Sequence, residues 1–487
     1  MTALAPSAPF EAKLSRFLPS AAALTGLIVY LELLFAPQIL NDGDTYWHIR
    51  AGEWMLAHGQ ILHVDVFTYT YAGRHWQTHE WLAEVVMALA YRVGGWGGVM
   101  ALTAGCAAAA GAVVAGYLRR WLAPLPLTLA LVLGLACLAP GLLARPHVYA
   151  FPLLAAWVVG LLRARDAHRA PSLWLLPLMV IWANVHGSFV LGLALIGPFA
   201  LEALIEARAR PWPTIRAWGL FGLAALAAAV VTPHGVSGLI FPFELMSLST
   251  MPSIDEWRPF DFSTFQPMTV GLFVALFIGF WRGIQVPPIR LIVLLGLFFL
   301  ALQHQRHAMV LGLLAPMLLA QPMSGHGQPK DSFQRSPLWV AGAVFALLAA
   351  FTGARLALPH ERQDAISTPA SALASVPAEL AGRPVLNDFG FGGYLIWSGV
   401  KPFTDGRADM YGDAFMAAYD EAVSGDRPAL EALLARYGVA WTIFHPNNPA
   451  VGVLDHLPGW RRHYADAHAV VHVRADARAM SLRGAVR

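Results

Sequence analysis

Charge is what this chain has least of. Asp, Glu, Lys and Arg make up 13% of its 487 residues, about half the share found in a soluble protein. That scarcity excludes an ordinary soluble fold, and 57% hydrophobic residues point to a membrane-embedded one. Cysteine is nearly absent. Cys106 and Cys137 both fall inside apolar runs, which excludes a disulfide framework and a zinc-ligand spacing. There is no basic stripe with interleaved aromatics, so nucleic acid is not an expected partner. No small-residue cleavage site follows the first apolar run, which Lys13 and Arg16 precede, so that run reads as an uncleaved anchor.

What the chain does have is apolar runs, repeated along most of its length. They predict a polytopic α-helical membrane protein with eleven spans, at about 17–40, 95–118, 122–139, 147–162, 173–185, 188–207, 217–231, 268–281, 289–302, 307–319 and 338–358. Several are short for a hydrocarbon layer of about 30 Å. Alternate connections carry the basic residues: Lys13 and Arg16; Arg119 and Arg120; Arg163, Arg165 and Arg169; Arg208, Arg210 and Arg216; Arg282 and Arg290; Lys330 and Arg335. Excess Lys and Arg mark the cytoplasmic side. The amino terminus is therefore expected inside, and the carboxy-terminal part outside a bacterial inner membrane.

The unusual polar residues then gather at the outer span ends. They are Asp42, Asp44, His48, Arg50 and Glu53; Arg74, His75, His79 and Glu80; Arg145 and His147; Asn184 and His186; His234; Asp255, Glu256 and Arg258; and Gln303, His304, Arg306 and His307. Ionisable groups at a bilayer boundary are costly unless solvated, paired or coordinated. Such a set predicts a polar cavity built from many loop ends.

The stretch from Asn41 to Trp54 is the focus. It opens a long first outer connection, 41–80, in which Asp44 is expected to cap a helix over 45–57. Its stripe of Trp47, Ala51 and Trp54 suits a helix lying on the membrane surface. A second amphipathic helix is expected from Glu80 to about Arg92, broken by Gly94, Gly95, Gly97 and Gly98. Three readings of the acids stay open. Asp42 and Asp44 act as catalytic carboxylates, with Arg145, Arg258, Arg306 and His307 holding a phosphate. Or Asp42, Asp44 and His48 bind a divalent cation such as Mg²⁺ or Mn²⁺. Or Asp44 caps the helix and Asp42 pairs with Arg50.

From about residue 359 the apolar runs shorten and turn formers rise. A small α/β domain is expected over 359–487, after a bundle over 1–358. Strands are expected at 385–387, 403–404, 439–444 and 470–473, and helices at 413–423 and 428–437. Two glycine-rich turns, Asn387 to Tyr394 and Thr404 to Tyr411, place Asp388, Asp405 and Arg407 at strand ends, where open α/β sheets bind ligands.

An acid just after the first span, a long first outer loop and an outer carboxy-terminal domain together resemble the C-type (GT-C) membrane glycosyltransferases. The string Asn41-Asp42-Gly43, followed by Tyr46, Trp47 and Arg50, is similar to the first outer loop of bacterial oligosaccharyltransferases. The resemblance implies sugar transfer from a polyprenyl-phosphate or polyprenyl-diphosphate carrier to an envelope acceptor. It assigns Asp42 and Asp44 the central role. His48, Arg50, Glu53, His79, Glu80, His186, Asp388, Asp405 and Arg407 are the supporting candidates. The chain lacks the Trp-Trp-Asp motif of the oligosaccharyltransferases, so protein N-glycosylation is not expected. The alternatives are a lipid-linked glycan transporter or flippase, and a non-catalytic envelope assembly or sensor protein.

Overall fold

The structure is a computed structural model that describes residues 19–208, 211–249, 255–324, 337–358 and 360–475. Lys13, Arg16, Arg210, Lys330 and Arg335 lie outside the described residues. Among the described residues, thirteen helices form the bundle: α1 Ala21–Leu34, α2 Asp44–His58, α3 Trp81–Leu118, α4 Pro124–Leu138, α5 Pro146–Asp166, α6 Leu176–Val185, α7 Phe189–Glu206, α8 Pro211–Ala229, α9 Val236–Met246, α10 Pro267–Arg282, α11 Pro288–Gln303, α12 His307–Met323 and α13 Leu338–Ala357.

Among the described residues, five helices are long and apolar enough to cross a membrane: Trp81–Leu118, Pro124–Gly141, Pro146–Asp166, Phe189–Glu206 and Leu338–Ala357. This corrects the expectation of eleven spans. Most of the other apolar runs form helices of 10–17 residues. At 1.5 Å per residue these reach roughly 15–26 Å, short of the hydrocarbon thickness.

Close approach of small residues holds the bundle together, as in other membrane helix pairs. Gly26 on α1 faces Ala108 and Ala112 on α3, and Gly134 on α4 lies against the carbonyl of Gly312 on α12. The core continues through fully buried Trp157, Trp182, Phe189, Phe199 and Phe221. Trp157 donates to the Gly192 carbonyl at 2.9 Å. The expected break after Arg92 is instead a bend within α3. Gly94 and Gly95 leave helical geometry, and Gly95 takes φ 55°.

Helix α2 has the expected limits but not the expected setting. It is not a surface helix. Tyr46, Trp47, His48, Ile49, Ala51, Gly52 and Met55 are buried. The stripe predicted to face lipid packs on Leu62, Trp76 and Ile396, because the hairpin after α2 and the carboxy-terminal part supply its apolar partner. Gly52 allows this approach: a Cβ there would meet the Glu84 carbonyl of α3 at 2.0 Å.

The carboxy-terminal part carries a four-stranded sheet of order β1-β2-β4-β3, with β1 Val385–Asn387, β2 Trp441–Phe444, β3 Trp460–Ala465 and β4 Val470–Arg474. The β1–β2 pair is parallel and the other two are antiparallel. Helices α14 Asp413–Val423 and α15 Arg427–Arg436 bury Met416, Tyr419, Leu430 and Leu434 with Leu386 and Phe444. The segment 403–404 is not a strand. Its backbone is held by Asn387, whose Oδ1 accepts from the Phe403 N–H at 2.8 Å and whose Nδ2 donates to the Thr404 carbonyl at 2.9 Å. Strand β3 was not expected, since its exposed face and charged run (Arg461, Arg462) conceal the alternation.

Candidate functional site

Asp42 follows a 3₁₀ turn, Pro37–Leu40, and its Oδ1 accepts the Asp44 N–H at 2.7 Å. The N-cap of α2 is Gly43, with no side-chain cap bond, and Asp44 is the first helical residue rather than the expected cap. This frees the Asp44 carboxylate for tertiary contacts. Its Oδ1 accepts from Trp47 Nε1 at 2.9 Å, and its Oδ2 lies 2.8 Å from Arg145 Nη2. Arg145 stands immediately before α5 in extended backbone. Its Nη1 lies 3.3 Å from Asp42 Oδ2 and 2.5 Å from Glu256 Oε1. The Glu256 carbonyl accepts the Arg306 N–H at 3.2 Å. Four segments distant in sequence thus meet around one guanidinium.

The one guanidinium contacts three carboxylates, and two of them, Glu256 and Asp44, are driven apart in protonation. Arg145 holds Glu256, the closest and most exposed of them, down at about 2. Burial, opposed by Arg145 and helped by the Asp42 charge, pushes Asp44 up to about 7. Carboxyls whose environments drive them apart in this way are the usual mark of an acid–base assignment.

Histidine and glutamate side chains pack together in the same region of the fold. Glu80 Oε1 is 3.5 Å from His186 Nε2 and 3.6 Å from His79 Nε2, and its Oε2 is 3.9 Å from His48 Nε2. His48 Nδ1 is 3.3 Å from Glu84 Oε1. Burial raises Glu80 to about 7. Burial also lowers His79, and it lowers His48 and His186 well below the usual imidazole range. These groups favour their neutral forms, so protons can be held here without a large buried charge. The Asp409 carboxyl from the carboxy-terminal part is raised by burial and lies within electrostatic reach of His79 and Glu80.

The cation set Asp42, Asp44 and His48 does not converge. The two aspartates face Arg145, while His48 faces Glu84 and Glu80. Among the described residues, no group of three or more His, Cys, Asp and Glu side chains is placed to hold a metal ion.

The other expected site residues divide. Arg306 stacks on Trp257 at 4.7 Å and lies within electrostatic reach of Glu256, Glu80 and Asp44, so it belongs to the cluster. His307 Nδ1 sits 3.2 Å from the Leu300 carbonyl, and the Arg258 carbonyl accepts from Gln305. Arg50 does not pair with Asp42. It reaches Glu53 at 2.8 Å and the Trp397 carbonyl at 2.6 Å, because its helical position points away from Asp42. Asp388 caps a local turn, accepting from Gly390 and Asn448 at 3.2 Å each. Asp405 and Arg407 form a sealed pair with Asp65. Arg407 contacts Asp405 Oδ2 at 2.6 Å and Asp65 Oδ1 at 2.9 Å, with all three side chains 0% exposed. They cannot touch an acceptor in this arrangement.

The glycine-rich turns instead serve close approach. A Cβ on Gly406 would fall 1.7 Å from Asp44 Oδ1, and one on Gly393 would fall 1.9 Å from the Gly43 carbonyl. Both turns therefore lie directly on the Asn41 to Trp54 stretch, and the second covers Asp44. Sequence reasoning gave no central place to Glu84, Glu256, Asp65 or Asp409. A usable signal existed for Glu84, which follows Glu80 by four residues on one helix face. Asp409 lies in the four-residue helix Ala408–Tyr411 and Glu256 in the 3₁₀ helix Asp255–Trp257, and neither these short elements nor the loop that holds Asp65 has a periodicity to mark it. No protein-family model matches this chain, and no curated protein matches it.

Proposed function

We propose that the chain is a membrane glycosyltransferase of the GT-C type, moving a sugar from a polyprenyl-phosphate or polyprenyl-diphosphate carrier to an envelope acceptor. The observation that carries this reading is the Asp44–Arg145 pair: a carboxyl titrating near 7, ion-paired at 2.8 Å, under a covering domain. A carboxylate of that kind takes a proton from an acceptor hydroxyl at neutral pH. In the proposed step the acceptor oxygen attacks the anomeric carbon and its proton passes to Asp44. The bond from that carbon to the carrier phosphate breaks, and the phosphate leaves with the electron pair. Arg306, with Arg145 once Asp44 is protonated, stabilises the departing anion.

Charge placement supports an outward-facing site. The site lies at the amino-terminal ends of α3, α5 and α7, while Arg119, Arg120, Arg163 and Arg169 lie at the opposite ends. By the positive-inside rule, the Asp44 end then faces out of the bacterial inner membrane.

The test is carrier-phosphate release in proteoliposomes given a polyprenyl-phosphate sugar and an envelope acceptor fraction. Asp44→Asn is expected to lower turnover by roughly 10²–10⁴-fold with thermal unfolding unchanged or improved. Wild-type turnover in that variant removes Asp44 from the chemistry and the transfer reading with it.

A further inference from the structure

Of the three acids on Arg145, Glu256 is bound most closely and tied down least. Its Oε1 lies 2.5 Å from Arg145 Nη1, and its side chain is 34% exposed, against 10% for Asp42 and 18% for Asp44. Asp42 also accepts the Asp44 N–H, and Asp44 also accepts from Trp47 Nε1. Among the described residues, the Glu256 carboxylate accepts from Arg145 alone. It can therefore leave the guanidinium without breaking a second side-chain bond.

Arg306 supplies a further cation. It is half-buried rather than enclosed, stacks on Trp257 at 4.7 Å and lies within electrostatic reach of Glu256. Among the described residues it forms no ion pair. The backbone around both residues is fixed. The Arg306 N–H donates to the Glu256 carbonyl at 3.2 Å, the Gln305 N–H to the Arg258 carbonyl at 3.0 Å, and the Phe260 N–H to the Leu302 carbonyl at 2.9 Å. Segment 256–260 is thereby strapped to 302–306. A swing of the Glu256 carboxylate towards solvent needs only rotation between side-chain rotamers, with both arginines left in place. Arg145 holds the Glu256 carboxyl at about 2, so it remains an anion at neutral pH and competes with any other anion for these donors.

We propose that Arg145 and Arg306 form a phosphate subsite in which the Glu256 carboxylate is the resident occupant, displaced when a phosphate ester binds and returning when it leaves. A phosphate monoester carries a charge of about −1.5 to −2 at neutral pH and three acceptor oxygens, so it outbids a single carboxylate for paired guanidinium donors. A tethered anion acts at high effective concentration, so Glu256 also limits how long a released phosphate stays. The proposal rests on the transfer reading for the origin of the phosphate; the exchange is measured without turnover.

The test is equilibrium binding of radiolabelled undecaprenyl phosphate and of inorganic phosphate to the purified full chain in detergent. Glu256→Gln is expected to tighten undecaprenyl phosphate binding roughly tenfold, by freeing one charge-assisted contact. Adding Arg306→Gln is expected to cancel that gain. The same gain with inorganic phosphate supports a subsite for phosphate itself, and a gain confined to undecaprenyl phosphate supports one for a lipid-borne phosphate. Glu256→Asp keeps the charge on a shorter side chain. It should give a smaller gain in the same direction, and it decides the matter if Glu256→Gln does not fold. Unchanged or weaker binding of both ligands in a folded variant overturns the proposal, as does a gain that survives Arg306→Gln. Wild-type turnover in Asp44→Asn would remove the transfer reading and leave this binding comparison standing.

Discussion

Two arginines, the half-buried Arg145 and the fully buried Arg407, are surrounded by carboxylates, and they are built for opposite ends. Arg407 lies over Trp76 at 4.6 Å with its carboxylate partners fully enclosed. Those carboxylates are saturated with donors. Asp65 also accepts from the Phe67 N–H, the Thr68 N–H and the Thr68 hydroxyl, and Asp405 from the Tyr411 hydroxyl at 2.8 Å. Around Arg145 there are three carboxylates, fewer additional donors, and side chains 10–34% exposed. A satisfied network fixes a structure; an over-subscribed, partly open one leaves a proton unassigned. The first therefore fastens the carboxy-terminal part to the 41–80 connection, and the second is where chemistry can occur.

The sharpest way to break this contrast is Arg407→Met. It leaves Asp65 and Asp405 buried without their cation, which costs about 3–5 kcal/mol. A large drop in unfolding temperature in detergent is expected, with release of the carboxy-terminal part to proteolysis. A variant as stable as wild type would mean that this pair does not hold the two parts together.

The next effect is in pH. Asp44 and Glu80 both have folded values raised to about 7, from 3.8 and 4.5 respectively. In that interval the folded state binds more protons than the unfolded one, so stability falls as pH rises. It is fully present below about 4 and lost by about 7. Asp44→Asn removes part of that fall, by roughly 1–3 kcal/mol. Denaturant unfolding between pH 4 and 8 should give a flatter curve for the variant than for wild type. Parallel curves would place the proton elsewhere.

Gly406→Ala tests the cover itself. The added methyl has no room beside Asp44, and relieving the overlap costs roughly 1–3 kcal/mol. Faster hydrogen exchange over 404–411 is the expected readout. Gly452→Ala is the control, since no atom lies within 4 Å of its Cβ position.

Much of the bundle could be read in the sequence because apolar runs of this length have few alternatives to helix. The limits of α14 were legible for a related reason: turn formers bracket a clear amphipathic period. The number of crossing helices was not legible, because a short apolar run looks the same whether it crosses a membrane or packs inside protein. The stripe on α2 failed in the same way. Periodicity shows that Trp47, Ala51 and Trp54 share a face but not whether lipid or Trp76 covers it. Within the site, Asp42, Asp44, Arg145 and Arg306 were legible as ionisable residues at the ends of apolar runs. The fate of Asp405 and Arg407 was not, since their partner Asp65 lies some 340 residues away and no local rule links them.

The smallest expected effect comes from Arg50, and it tests whether the contrast concerns burial or merely the presence of an ion pair. Arg50 pairs with Glu53 at 2.8 Å, as short as the Asp44–Arg145 contact, and it also stacks on Trp397 at 4.8 Å. Yet the Arg50 side chain is 39% exposed. Water screens such a pair, and ordering two long side chains offsets most of the gain. Arg50→Gln keeps much of the stem packing and should shift stability by only about 0.2–1 kcal/mol. The shift should shrink further at high salt. A loss approaching that of Arg407→Met would show that enclosure is not what separates the fastening arginine from the others. The division between Arg407 and Arg145 would then have to rest on donor saturation alone.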